Sequence, residues 1–192
     1  MPWLHTISII MRLLTLLAFA ACCPHTAAVG SDGNFSGAWV AWLCPAGVRY
    51  DPAICSNFVL ELYQARDKLC GAHVFATAGA VQMDEGAAPS LLGTIAGSTA
   101  TVVVESGRAS PPIRVRSELT MVKDGLQWRR LESPDGDYLL PVSARLSRSR
   151  HETLLHPVFA QKLRAACAAA NAAPEAGAAE TIRPSTQTRE PQ

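Results

Sequence analysis

The sequence predicts a mostly β domain: an antiparallel meander of eight strands closed into a barrel, followed by one α-helix. Three observations carry this. Between Asn34 and Arg150 the apolar runs are short and rich in Val, Ile, Leu and aromatic residues. Turn residues interrupt them about every 8–12 positions. Where the runs alternate, one face is oily and the other polar, which is the mark of a sheet wet on one side only.

The first run is Phe35–Cys44 (FSGAWVAWLC). The second and third, Asn57–Gln64 and Lys68–Thr77, are separated only by Ala65, Arg66 and Asp67 and should form a hairpin. Leu91–Ala96 and Thr99–Ser106 flank Gly97-Ser98. Ile113–Val122 and Leu126–Glu132 flank Lys123-Asp124-Gly125, a strong tight-turn signal because Asp and Gly tolerate positive φ. Asp137–Leu140 and Val142–Ser147 complete the series. In the Ile113 strand, Ile113, Val115, Leu119 and Met121 share one side, opposite Arg114, Arg116, Glu118 and Thr120. A sheet with one dry face must curl or be covered. Strands in meander order favour a closed barrel, with a two-sheet sandwich as the alternative.

Pro157 suits a first helical turn. Phe159, Leu163, Ala166, Cys167 and Ala170 then fall on one helical face. From Pro174 large apolar residues almost vanish, as expected of a disordered tail. The division is therefore a leader over 1–28, a linker over 29–33, the barrel over 34–150, the C-terminal helix over 151–173 and a tail over 174–192.

The leader follows from Leu13–Ala21 (LLTLLAFAA), an apolar run preceded by Arg12. It is too short to span a membrane, which takes about 20 apolar residues, and has the length of a signal-peptide core. Met11 is an alternative start to Met1. Phe19-Ala20-Ala21-Cys22 resembles a bacterial lipoprotein box, so Cys22 is a candidate lipidation site. Cleavage after Ala28 instead removes Cys22 and Cys23 and leaves four of the six cysteines. An even number suits an exported protein, so a soluble periplasmic or extracellular product is the expectation and a lipid-anchored one the alternative. The preferred pairings are Cys44–Cys55, closing the first long loop, and Cys70–Cys167, tying the helix to the sheet. No C-x-x-C pair occurs, which argues against structural zinc.

With Arg12 set aside, 16 basic residues face 16 acidic ones. A near-neutral domain lacks the basic footprint of a general nucleic-acid binder. No phosphate loop, dinucleotide fingerprint or G-x-S-x-G elbow appears. His151-Glu152 with His156 misses the H-E-x-x-H spacing: five helical residues turn about 500°, so the two rings do not share a face. No cofactor, metal or enzymatic activity is expected. Asp84-Glu85 and Asp135-Gly136-Asp137 read as solvated acidic turns, with weak calcium binding as the alternative. Arg145, Arg148 and Arg150 alternate with small residues, as an exposed strand face or a contact for an anionic surface. Asn34-Phe35-Ser36 fits a glycosylation sequon.

Two segments resemble the lipocalin and avidin group of barrels. Gly37-Ala38-Trp39 resembles the G-x-W motif of a first strand. Arg148, followed by Leu154, Leu155 and a helix carrying Phe159, resembles the end of the last strand and its trailing helix. The resemblance implies structural roles for Gly37, Trp39 and Arg148, with the arginine packed over the tryptophan to close one end. The lipocalin T-D-Y motif is missing. Barrels of this group often carry apolar small molecules, which points to Trp39, Phe58, His73, Phe75 and Trp128 as candidate cavity-lining residues. The expected function is thus an exported barrel binding a small apolar ligand or envelope component. The alternative is a protein-binding inhibitor or immunity-type module, which predicts a solid core and a projecting loop at Pro45–Ser56 or Met83–Ser90. No nucleic-acid partner is expected, and membrane contact only through a lipid on Cys22.

Overall fold

A computed structural model describes residues 33–172. The expected leader, Cys22 and the tail lie outside the described residues. Nine strands and one α-helix follow in order: β1 (Gly37–Leu43), β2 (Ser56–Ala65), β3 (Lys68–Ala76), β4 (Met83–Glu85), β5 (Leu91–Ala96), β6 (Thr99–Ser106), β7 (Ile113–Val122), β8 (Gly125–Arg130), β9 (Ser143–Arg148) and α1 (Pro157–Ala172). Neighbours pair antiparallel, and β9 returns to β1 through Trp39↔Arg148 and Val40↔Ser147. Eight strands thereby close a barrel, and closure removes the free edges that invite aggregation.

The remaining strand, β4, is short and shares a neighbour with β5. Along β3, β5 pairs with Lys68 to Gly71 and β4 with Val74 to Ala76. Between them, at His73, the Ser90 hydroxyl accepts the backbone N–H at 3.1 Å. A side chain there fills a gap in the ladder.

Three two-residue turns mark one end of the barrel: Arg66-Asp67, Gly97-Ser98 and Lys123-Asp124, each between strand partners. Arg66, Gly97 and Asp124 take positive φ of 57°, 60° and 62°. The turn beside the Asp-Gly pair is Lys123-Asp124, and Gly125 is the first residue of β8. A Cβ on Gly125 would lie 2.8 Å from the Leu146 carbonyl oxygen, so glycine lets β9 approach closely.

At the other end lie the connections 44–55, 77–82, 107–112 and 131–142. Here two expectations are corrected. Asp137–Leu140 is not a strand; it belongs to a strap, residues 131–142, that crosses the mouth. Its backbone is drawn to side chains rather than to a ladder: the Leu139 N–H donates to Asp84 Oδ2 at 2.7 Å, and Arg130 Nη1 donates to the Leu140 carbonyl at 2.9 Å. Nor is Asp84-Glu85 a solvated turn. Both residues belong to β4, with Asp84 opposite Phe75 in register and fully buried.

Inward residues of every barrel strand make the core, among them Phe58, Leu60, Leu62, Val104, Val115, Leu119, Leu126, Trp128 and Leu146, all at 0% exposure. Burying each such side chain is worth about 1.5–3 kcal/mol. On the outer wall of β3, Cys70 and Ala72 pack against Leu163 and Cys167 of α1. The helix lies within the expected span and buries the expected stripe, with Phe159 and Ala170 packed at its margin. Both expected disulfides, Cys44–Cys55 and Cys70–Cys167, are present. Among the described residues no helix is long and apolar enough to cross a membrane.

Candidate functional site

The residues carrying the family resemblance sit together at the closed end. Trp39 points inward, and its Nε1–H donates to the Phe35 carbonyl at 2.8 Å. Arg148 is its neighbour across the β1–β9 seam, with the guanidinium carbon 4.3 Å from the indole centroid. The same guanidinium donates to the carbonyls of Ser36 and Asn34. Gly37 has φ 130°, and a Cβ there would fall 2.6 Å from Arg148 Nη1. Only glycine accepts that backbone and leaves space for the arginine. Cation–π attraction of about 0.5–2 kcal/mol and hydrogen bonds from a cation seal this end.

The five cavity-lining candidates all point into the barrel, where they are packed. Phe58 meets Trp128 edge-on at 5.1 Å and Phe75 at 6.3 Å between ring centroids. Trp128 Nε1 donates to the Pro141 carbonyl of the strap at 2.8 Å. Phe58 and Trp128 are 0% exposed, Trp39 and His73 2% and Phe75 8%, so protein atoms cover all five side chains. Leu140, 3% exposed, fills the mouth from above.

Beside these rings lies a buried polar cluster that the sequence does not announce: His73, Asp84, Ser90 and Ser106. Ser90 Oγ lies 2.9 Å from His73 Nδ1 while accepting the His73 amide. Donating its own proton to Nδ1 leaves the ring proton on Nε2, which faces Asp84 Oδ1 at 3.5 Å. Ser106 Oγ donates to Asp84 Oδ1 at 2.7 Å. Burial pushes the Asp84 carboxyl upward, but the donors from His73, the Leu139 amide and Ser106 outweigh it and hold the group below its ordinary range. The cluster has the residue types of a hydrolytic triad, yet every member is buried and Ser90 is spent on the barrel wall. Its chemistry is that of a clamp between β3, β4, β6 and the strap.

The outer wall of β1 and β2 is different. Val40 and Trp42 on β1 and Val59 on β2 point outward, where a wet wall would carry polar residues. The disulfide loop 44–55 stands over the mouth end of this wall. Its Tyr50 packs edge-on against Trp42 at 4.5 Å. Trp42 is 42% exposed, Tyr50 61% and Ile54 49%, an unusual concentration of large apolar surface. The loop is held internally by Asp51, whose carboxylate and carbonyl accept the amides of Ala53 and Cys55, and externally by the Gly79 N–H to the Pro52 carbonyl.

Trp42 separates two grooves. One, of about 490 Å³, runs between Trp42, Pro52, Ala53 and Ala80. The other, of about 460 Å³, lies between Val40, Trp42, Val59 and the returning segment 149–154, with Arg150, His151 and Leu154 on its far side. That segment is pinned from beneath: Glu61, 1% exposed, accepts the Thr153 hydroxyl at 2.6 Å and the Tyr63 hydroxyl at 2.7 Å.

The basic string is thus dispersed. Arg145 donates to the Lys123 carbonyl, Arg148 seals the closed end and Arg150 borders a groove. Asp137 is held by Arg108 through two hydrogen bonds, at 2.9 and 3.0 Å. Among the described residues no three His, Cys, Asp or Glu side chains are grouped to hold a metal. The disulfide loop of this site coincides with the projecting loop expected at Pro45–Ser56, whereas the apolar outer wall of β1–β2 was missed from sequence, although a signal existed: GAWVAWL in β1 has no polar face at all, so both of its sides are apolar. Comparison with protein-family models, curated proteins and solved structures returns no match.

Proposed function

We propose that this chain is an exported β-barrel of the lipocalin and avidin type that binds a partner protein on the outer wall of β1–β2 and the disulfide loop 44–55. One observation carries the reading: the exposed Trp42–Tyr50 pair flanked by two apolar grooves, outside a barrel whose inward aromatic side chains pack on one another. Tryptophan and tyrosine are the residues that most often dominate binding energy at protein interfaces. A loop closed by a disulfide loses less freedom on docking than a free one. A small apolar ligand inside the barrel would have to displace the Phe58–Trp128 packing. The export half of the reading is supported by the Leu13–Ala21 leader signal and by two disulfides, which persist in oxidising compartments.

The test is a photo-reactive amino acid in place of Tyr50, with Thr101 on the exposed outer face of β6 as the control position, in cells exporting the full chain. One discrete protein adduct is expected from position 50 and none from position 101. No adduct at 50, or the same adduct at both, would overturn the reading.

A further inference from the structure

The groove beneath the 149–154 segment has a chemistry more specific than an oily surface, and it narrows the kind of partner. Val40, Trp42, Val59 and Leu154 give it an apolar lining, interrupted by Asn57 and Ser149. Its rim carries Arg150 and His151, and neither side chain has a carboxylate partner among the described residues. Two acids, one in the same segment and one bonded to it, are already committed. Glu152 pairs with Arg164 on α1 at 3.2 Å, and Glu61 is buried under Thr153 and Tyr63. The apolar lining is therefore bordered by one guanidinium without a carboxylate partner among the described residues, in a chain whose charge is close to balanced.

A groove of about 460 Å³ is at the small end of ligand sites. It is large enough for one bulky side chain and its flanking backbone. The segment that forms the rim is tied to β2, because the buried Glu61 accepts the Thr153 hydroxyl. Arg150 stands beside the apolar lining, and its guanidinium presents a planar fork matched to a carboxylate.

We infer that this groove receives, from the partner protein, a bulky apolar side chain immediately beside a carboxylate, with Arg150 taking the carboxylate and Trp42 the side chain. The inference rests on the outer wall being the binding face. Electrostatic complementarity of this kind sets specificity and approach more than total affinity.

The full exported chain, labelled with ¹⁵N, is titrated with N-acetyl-leucyl-phenylalanine as the free acid and, separately, as its C-terminal amide. The Trp42 indole N–H and the Val40 and Val59 amides report occupancy. The acid should move these signals saturably, and the amide should bind about fivefold more weakly, as expected of a single partly exposed charge pair. Arg150→Gln should abolish the difference, while Arg116→Gln, on the far wall, should keep it. Laurate is run in parallel, since a lipid carboxylate shares the chemistry. Equal binding of acid and amide, an unchanged preference in Arg150→Gln, or saturation of the groove by laurate but not by the peptide acid would each overturn the inference. A discrete adduct at position 50 together with equal binding of acid and amide would discard the groove's carboxylate selectivity and leave the binding face standing. Discrimination between acid and amide without that adduct would do the reverse.

Discussion

Asp84 Oδ2 accepts the backbone N–H of Leu139 at 2.7 Å, so a carboxylate on β4 holds down the strap that closes the barrel mouth. Its other oxygen takes the Ser106 hydroxyl and faces His73. Replacing it with asparagine turns one acceptor into a donor that points at donors. Hydrogen bonds to a charged group contribute about 1.5–3 kcal/mol each, and Asp84→Asn should cost about 2–3 kcal/mol in urea unfolding at pH 7. The folded-state carboxyl lies below its ordinary value of 3.8. Its contribution is then complete above that value and drains away as pH falls through the lower folded one. Wild type should lose stability across that acid interval. Asp84→Asn should show a flatter pH dependence there, and equal slopes for the two proteins would refute the assignment.

Arg148 and Gly37 act as one unit at the opposite end. Arg148→Ala should lower stability by about 1–2 kcal/mol through loss of the Trp39 stacking and the two carbonyl contacts. Arg148→Lys should recover only part, since an ammonium has no planar fork to reach both carbonyls. Gly37→Ala should cost about 2 kcal/mol from its backbone conformation and its collision with the guanidinium. In a double-mutant cycle the two losses should fall short of additive, because removing the arginine removes the collision. Strict additivity in thermal or urea unfolding would show that the sites are independent.

The two disulfides should differ in what their loss does. Cys70–Cys167 spans 97 positions and Cys44–Cys55 spans 11. On the chain-entropy model, removing the long cross-link by Cys70→Ser/Cys167→Ser costs roughly 4–5 kcal/mol and the short one nearer 3 kcal/mol. The short cross-link should matter more locally. Without it, limited proteolysis should cut within 45–54 well before the barrel unfolds.

Trp42 and Phe58 both pack against aromatic neighbours, yet their substitution should separate binding from stability. Phe58→Ala leaves a hole beside Trp128 and should cost about 3–5 kcal/mol. Trp42→Ser removes a side chain that is nearly half exposed and should change stability by less than about 1 kcal/mol. It should nonetheless abolish the adduct formed at position 50. A Trp42→Ser protein that keeps the adduct would remove Trp42 from the interface.

The architecture was readable because its signals are local. Gly97-Ser98 and Lys123-Asp124 announce their hairpins through residues that tolerate positive φ, and Arg66-Asp67 through the shortness of the gap between two apolar runs. The Ile113–Val122 alternation fixes which side of β7 is dry. The four cysteines of the domain allowed only three pairings, and the preferred one fitted both the loop and the helix. What stayed hidden depends on long-range partners. Asp84 is an ordinary loop acid by its neighbours in sequence, and becomes interior only because Ser106, His73 and Leu139 converge on it. The strap at 137–140 has strand-like residues, but its amides go to side chains. The loop half of the binding face, at Pro45–Ser56, was legible; its apolar wall on β1 and β2 stayed hidden because the unbroken apolar run in β1 is equally consistent with a strand buried on both sides.

The handover from β5 to β4 along β3 gives the barrel a weak stave. At His73 the cylinder of backbone bonds is completed by the Ser90 hydroxyl, which also holds the imidazole. A single missing oxygen, as in Ser90→Ala, would leave that amide without its acceptor at mid-height of the wall.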